Sequence, residues 1–130
     1  METTATEEVL GLVNRWAAAE LAGDVAAYET LLATDFQGIG PVGFVLDRTQ
    51  WAGRHLGGDV VNEQFEILEP HVRHYRDTAL VEAVQRQKTV ARGHDASGSF
   101  RVLLVLVRDG EAWVIAHIQL SGPLLTPGDR

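Results

Sequence analysis

The chain has 130 residues, 45% of them hydrophobic and 22% charged, with a formal net charge of −7, a sequence pI of about 5.1 and no cysteine. That length suits one domain, whose folding buries roughly two-thirds of the extended chain's surface. An acidic surface repels phosphate backbones and anionic headgroups, so neither nucleic acid nor membrane is an expected partner. The lack of cysteine excludes disulfides, thiolate metal sites and cysteine nucleophiles. No stretch approaches the ~20 apolar residues of a membrane helix. The opening METTATEE is acidic and polar, unlike a secretory signal, and a cytoplasmic location is expected.

In chain order, residues 7–22 place Val9, Leu12, Val13, Trp16 and Ala19 at helical spacing, with Thr4 and Glu7 as a candidate capping box. Gly23 can close that helix, and Asp24 can cap a second one over 24–33. Next comes GIGPVG, residues 38–43, which fits the G-x-G-x-x-G pattern of a dinucleotide-binding loop. Such a loop needs a strand before it and a helix opening inside it, so that the helix N-terminus holds the pyrophosphate. Here a helix precedes, Pro41 stands where the phosphate helix would begin, and Phe-Val-Leu follows. The segment therefore reads as two short strands, 36–39 and 43–46, joined by a Gly-Pro turn. Asp47 and Gln50 predict a capping box for a short helix over 47–56, which carries Trp51 and His55 one turn apart.

The second half reads as long strands. Residues 65–75 and 78–91 flank an Arg76-Asp77 turn, and 100–107 and 112–120 flank Asp109-Gly110. The tail 121–130, with two prolines, reads as irregular. Helices followed by an antiparallel meander give an α+β fold, with helices on one face of the sheet. FRVLLVLV is apolar on both faces, so the second face also needs cover. The simplest cover is a second copy of the chain, a homodimer burying on the order of 800 Å² per subunit.

Three segments carry a resemblance: NRWAAAELAGDVAAYETLLATDF, GPVGFVLDRTQW and FRVLLVLVRDGEAWVIAHIQLSGP. With these the chain resembles the nuclear-transport-factor-2-like superfamily, in its SnoaL-like branch of bacterial domains of unknown function. The resemblance spans residues 7–123. It implies three N-terminal helices on a strongly curved mixed or antiparallel sheet, forming a cone (a cystatin-like roll) with a pocket inside. A single domain over 1–122 with a tail over 123–130 follows, and usually a dimer. Members include isomerases, polyketide cyclases, hydrolases, dehydratases and oligomerisation hubs, so the fold does not name the chemistry. Ketosteroid isomerisation needs a carboxylate base and two acidic O–H donors. The family's pattern puts those roles at Gly40, Trp16 and Leu103, none of which can fill them, so that chemistry is not expected.

The same alignment turns Leu103, Val105, Ala116, Ile118 and Leu120 into the cone, and Leu80, Glu82, Val84 and Arg86 share one face of their strand, expected to be the inner one. Trp16, Phe36, Trp51 and His55 close it from the other side. Glu82 and Arg86 are about 13 Å apart by strand rise and cannot pair directly. Either they are solvated or paired across strands with charges such as Arg73 and Arg101, or one of them lies inside. An inward Arg86 or Arg101 suits a carboxylate-bearing ligand, and an inward Glu82 suits acid–base work. His55 is the other catalytic candidate. His117 turns toward the dimer face with Trp113, Ile115 and Gln119. His71 and His74 point to opposite faces and cannot share a metal, so neither metal nor cofactor is expected. Gly-x-Ser-x-Gly is absent, so no nucleophile elbow is visible. The leading expectation is a homodimer binding a small, largely apolar molecule. One alternative is an acid–base enzyme, cyclase-, dehydratase- or isomerase-like, acting on a small apolar carbonyl compound. The other is a pure dimerisation module, because AHIQLSGP resembles the close of kinase-association hub domains.

Overall fold

The computed structural model describes residues 2–124, with side chains from Thr4 onward. Helix α1 runs Glu2–Ala22, longer than its sequence reading, so Thr4 lies inside the helix and not at its start. Its apolar stripe of Val9, Leu12, Val13 and Trp16 is buried. Gly23 takes a positive φ of 67° and ends it. The single second helix of the sequence reading is instead a 3-10 turn, Val25–Ala27, followed by α2, Tyr28–Leu31. Asp24 stands at the cap position but makes no side-chain cap bond.

Strand β1, Leu32–Ile39, begins directly at the end of α2. Strand β2, Val45–Asp47, pairs with it antiparallel. Between them Gly43 N–H donates to the Gly40 carbonyl at 2.9 Å, with Pro41 at the first corner. The glycines of GIGPVG thus make a hairpin. Helix α3, Arg48–Gly53, opens on the expected Asp47–Gln50 capping box and is followed by a 3-10 turn, Leu56–Gly58.

The remaining strands are β3 Val60–Tyr75, β4 Thr78–Ala91, the short β5 His94–Asp95, β6 Gly98–Asp109 and β7 Ala112–Ser121. The sheet order is β2-β1-β7-β6-β4-β3, with β5 paired to β4. Every pairing is antiparallel except β1 with β7, which is parallel. The sheet is therefore mixed, and it curves as a half-barrel around the helices. Of the predicted tail, residues 125–130 lie outside the described residues; Leu124 N–H donates to the Ser99 carbonyl at 2.7 Å.

Burial settles which way each strand faces. On β4 it is Ala79, Val81, Ala83, Gln85 and Thr89 that are buried against the helices, and on β6 it is Phe100, Val102, Leu104 and Leu106. Leu80, Glu82, Val84 and Arg86, with Leu103 and Val105, therefore lie on the outer face, opposite to the sequence expectation. Both faces of these strands carry apolar residues, so period-two alternation pairs the residues without saying which set is inside. On β7 a bulge at Ala116 switches the parity. Leu106 pairs with Ile115 but Val105 pairs with His117. Trp113 and Ile115 are consequently buried inside, not at the outer face, while Ile118 is inside as well.

Two glycines are fixed by ring packing. A Cβ on Gly38 would collide with the Trp51 ring, and one on Gly40 with the Phe44 ring. Trp51 is 3% exposed and cannot yield, whereas Phe44 is 46% exposed and can swing away. Gly38→Ala is therefore expected to lower stability by about 1–3 kcal/mol, and Gly40→Ala by less. Urea unfolding of both variants checks this, and equal losses would contradict the packing account.

Candidate functional site

Glu20 continues the buried stripe of α1 one turn beyond Trp16, and it is 1% exposed. A buried carboxylate needs charge and hydrogen-bond partners, and the neighbouring elements supply them. Arg54, just after α3, donates Nη2–H to Glu20 Oε1 at 2.6 Å and to Oε2 at 3.1 Å. His55 Nε2 lies 3.3 Å from Oε2, and Tyr28 of α2 donates its O–H to the same oxygen. Arg54 also lies over the Trp51 ring, 3.9 Å from its centroid, and its Nε–H donates to the Trp51 carbonyl at 2.9 Å. Burial alone would push the Glu20 carboxyl up. The Arg54 guanidinium and the bonds from His55, Tyr28 and Arg54 outweigh it and hold the carboxyl at about 2. Burial and the Glu20 charge push the Tyr28 hydroxyl up, so it stays a donor.

The network continues into the sheet. Asn62 Nδ2–H donates to the Glu20 carbonyl at 2.9 Å, and Thr89 Oγ1–H donates to Asn62 Oδ1 at 2.6 Å. Beside it Gln85 Nε2–H donates to Gln87 Oε1 at 2.7 Å, and Gln87 Nε2–H donates to the Ala96 carbonyl at 2.8 Å. These groups form the polar floor of a cavity of about 420 Å³. Its walls are apolar: Phe44, Trp51, Phe65, Phe100 and Leu120, with Pro41 and Val60 also lining it. A largely apolar cavity of this size with a few placed polar groups is the usual form of a small-molecule site.

Of the residues singled out in the sequence, Trp51 and Leu120 line this cavity. Trp16 is buried in the core, edge-on to Phe65, and Phe36 is buried edge-on to Trp51. His55 faces Glu20 and a smaller hollow bordered by Ala22, Gly23 and Val61. Glu82 is on the outer face, in an exposed ion pair with Arg73 at 3.0 Å, so the cross-strand alternative is the one the structure adopts. Val84 and Arg86 border a separate outer hollow with Leu68 and Ser99. Arg101 is also turned outward, leaving Arg54 as the cavity's cationic lining residue among the described residues, already matched by Glu20. His117 is outward, its Nε2 3.1 Å from Gln119 Oε1. Leu103 faces out, and its inward neighbours Val102 and Leu104 are equally without an ionisable group.

The residues the sequence reading passed over are Glu20, Tyr28, Arg54, Asn62, Gln85 and Gln87. A signal existed for the first: a carboxylate at position i+4 from Trp16, on the apolar stripe itself. Among the described residues no group of three or more His, Asp or Glu side chains could hold a metal, and no helix is long and apolar enough to cross a membrane.

A family model described as a SnoaL-like domain matches residues 9–125. No curated protein matches the chain. Among solved structures, it is similar to an NTF2-like protein from Cytophaga hutchinsonii, with 20% identity and a TM-score of 0.85 over 90% of this chain and 97% of that one. It is similar to a putative Ca/calmodulin-dependent kinase II association domain from Exiguobacterium sibiricum, with 20% identity and a TM-score of 0.84 over 94% and 95%. It is also similar to the CaMKII hub of S. rosetta, with 20% identity and a TM-score of 0.71 over 89% and 95%. At these identities the likeness is one of fold. The expected class, three helices on a strongly curved mixed sheet in a cystatin-like roll, is the observed one.

Glu20 has an ordinary value of 4.5 and a folded value of about 2. The unfolded chain therefore takes up the proton first as pH falls. The carboxylate's contribution is complete above about pH 4.5 and is lost as pH falls toward 2. It amounts to about 3 kcal/mol. Urea unfolding between pH 7 and 3 is expected to show Glu20→Gln losing less stability with acid than the parent by about 2 kcal/mol, the part of that contribution already lost at pH 3. Parallel pH curves would contradict it.

Proposed function

The chain belongs to the SnoaL-like domain family, and on that premise we propose that it binds a small, uncharged, largely apolar molecule in the cavity above the Glu20–Arg54 floor, as a homodimer. The observation that carries this reading is the cavity itself: about 420 Å³, apolar on its walls and polar at one end. The carboxylate-bearing ligand considered from the sequence has less support, because Arg86 and Arg101 face outward and Arg54 is committed to Glu20. An unpaired buried charge costs several kcal/mol, so a cavity without a free counter-charge favours a neutral guest.

The dimer reading rests on the outer face of the sheet. Leu68, Leu80, Val84, Leu103, Val105 and Val107 form a half-buried apolar surface there. Two fold neighbours are described as an association domain and a hub, which fits self-association. That face also supports the second reading, a pure association module. Acid–base catalysis has less support: Glu82 lies outside, and the His55 imidazole is held between Glu20 and Tyr28.

Two measurements test the proposal. A neutral apolar dye such as Nile red is expected to bind saturably, and Ala96→Trp, on the loop lining the cavity, to weaken it at least about tenfold without unfolding the protein. Unchanged binding would contradict the pocket reading. Light scattering at micromolar concentration is expected to give a dimer, and Leu103→Asp a folded monomer. A monomeric parent would contradict the dimer.

A further inference from the structure

Gln85 lines the cavity floor and is 4% exposed, yet its Oε1 has no hydrogen-bond partner. A buried acceptor left unpaired is uncommon and costs free energy unless something meets it. Which end of this amide is left over is decided by its neighbours. The Ala96 carbonyl can only accept, so Gln87 must turn its Nε2 toward it, at 2.8 Å. Gln87 Oε1 is then left facing Gln85, at 2.7 Å, and only an N–H can meet it there. The backbone carbonyl thus sets the first amide and the first amide sets the second. Gln85 presents an oxygen as its remaining group, and a rotation of the amide would place two oxygens against each other.

We propose that the cavity selects molecules carrying a neutral hydrogen-bond donor, a hydroxyl or amide N–H on an apolar body, and that Gln85 Oε1 is the group that reads it. This rests on the small-molecule reading of the cavity and narrows it. A charged donor is disfavoured because the one buried carboxylate on the floor, Glu20, is already taken by Arg54, Tyr28 and His55. Asp95 also lines the cavity but is exposed at its rim. An acceptor-only molecule would set oxygen against oxygen at Gln85. A site built to accept a donor rejects the analogue without one more strongly than an apolar wall rejects an extra methyl group.

Binding of three probes by titration calorimetry tests the assignment: 2-naphthol, which donates; 2-methoxynaphthalene, which only accepts; and 2-naphthoate, which is anionic. The parent protein is expected to bind 2-naphthol about tenfold to a hundredfold tighter than 2-methoxynaphthalene, and 2-naphthoate most weakly. Gln85→Leu is expected to remove the preference while 2-methoxynaphthalene still binds, which separates hydrogen bonding from probe size. Gln87→Leu leaves Gln85 in place but frees its amide to turn, and is expected to bring the two neutral probes to within about threefold. Equal affinities in the parent, or a preference that survives in a folded Gln85→Leu, would each overturn the inference while leaving the cavity reading intact; tightest binding of 2-naphthoate would overturn the inference and the neutral-guest reading with it. Failure of all three probes to bind would overturn the cavity reading together with it.

Discussion

The rest of the structure hangs on one buried carboxylate. Glu20 is drawn into the interior because it continues the apolar stripe of α1, and once there it cannot be left alone. Three side chains from two other segments meet it: Tyr28 from α2, and Arg54 and His55 from the turn after α3. Its own backbone carbonyl takes Asn62 from β3. One residue thereby ties all three helical segments to each other and to the sheet. A buried ion pair is a doubtful source of net stability against an apolar replacement, but removing one partner is costly. Its consequence here is geometric: the helices are fixed at a set height above the sheet.

That spacing explains why the fold is hollow at one end and solid at the other. Toward the α1 stripe, Trp16, Phe36, Leu104 and Ile115 are fully buried in the core. Beyond Glu20 the sheet offers Asn62, Gln85, Gln87 and Thr89 in place of large apolar side chains, and these amides and hydroxyls bond to each other and to the backbone rather than packing inward. The helix side offers the flat face of Trp51 under Arg54. Neither side fills the gap. The hairpin made by GIGPVG closes one wall, its glycines allowing Trp51 and Phe44 to lie against the strand backbone. A motif that looks like a phosphate loop is in this chain a place where rings approach the main chain.

Much of this was legible in the sequence, for reasons that differ by element. The α3 capping box, the Gly23 stop and the β4 and β7 strands follow from local chemistry, which needs no tertiary context. The second helix was overread because helical spacing over 24–33 continues into Leu32, whose backbone is already pairing in the sheet. Facing was the main loss. β4 and β6 are apolar on both sides, one side covered by helices and the other an open apolar face, and the larger side chains of β4 lie on the outside. The Ala116 bulge then reversed the parity within β7, so a facing correct at Ile118 is wrong at Ile115. Glu82 and Arg86 stand out as charges within a strand, while the charge that organises the interior, Glu20, lies in a helix and is passed over. Amides such as Gln85 give no sequence signal at all, since their role depends on which carbonyl lies next to them.

Native mass spectrometry of the protein purified without detergent or organic solvent tests the central claim, that the space above Glu20 holds a small neutral molecule. The account predicts a dimer carrying extra non-covalent mass, released on activation as an uncharged compound with a hydroxyl or amide N–H. A bare chain under the same conditions, with no added mass at any collision energy, would contradict it.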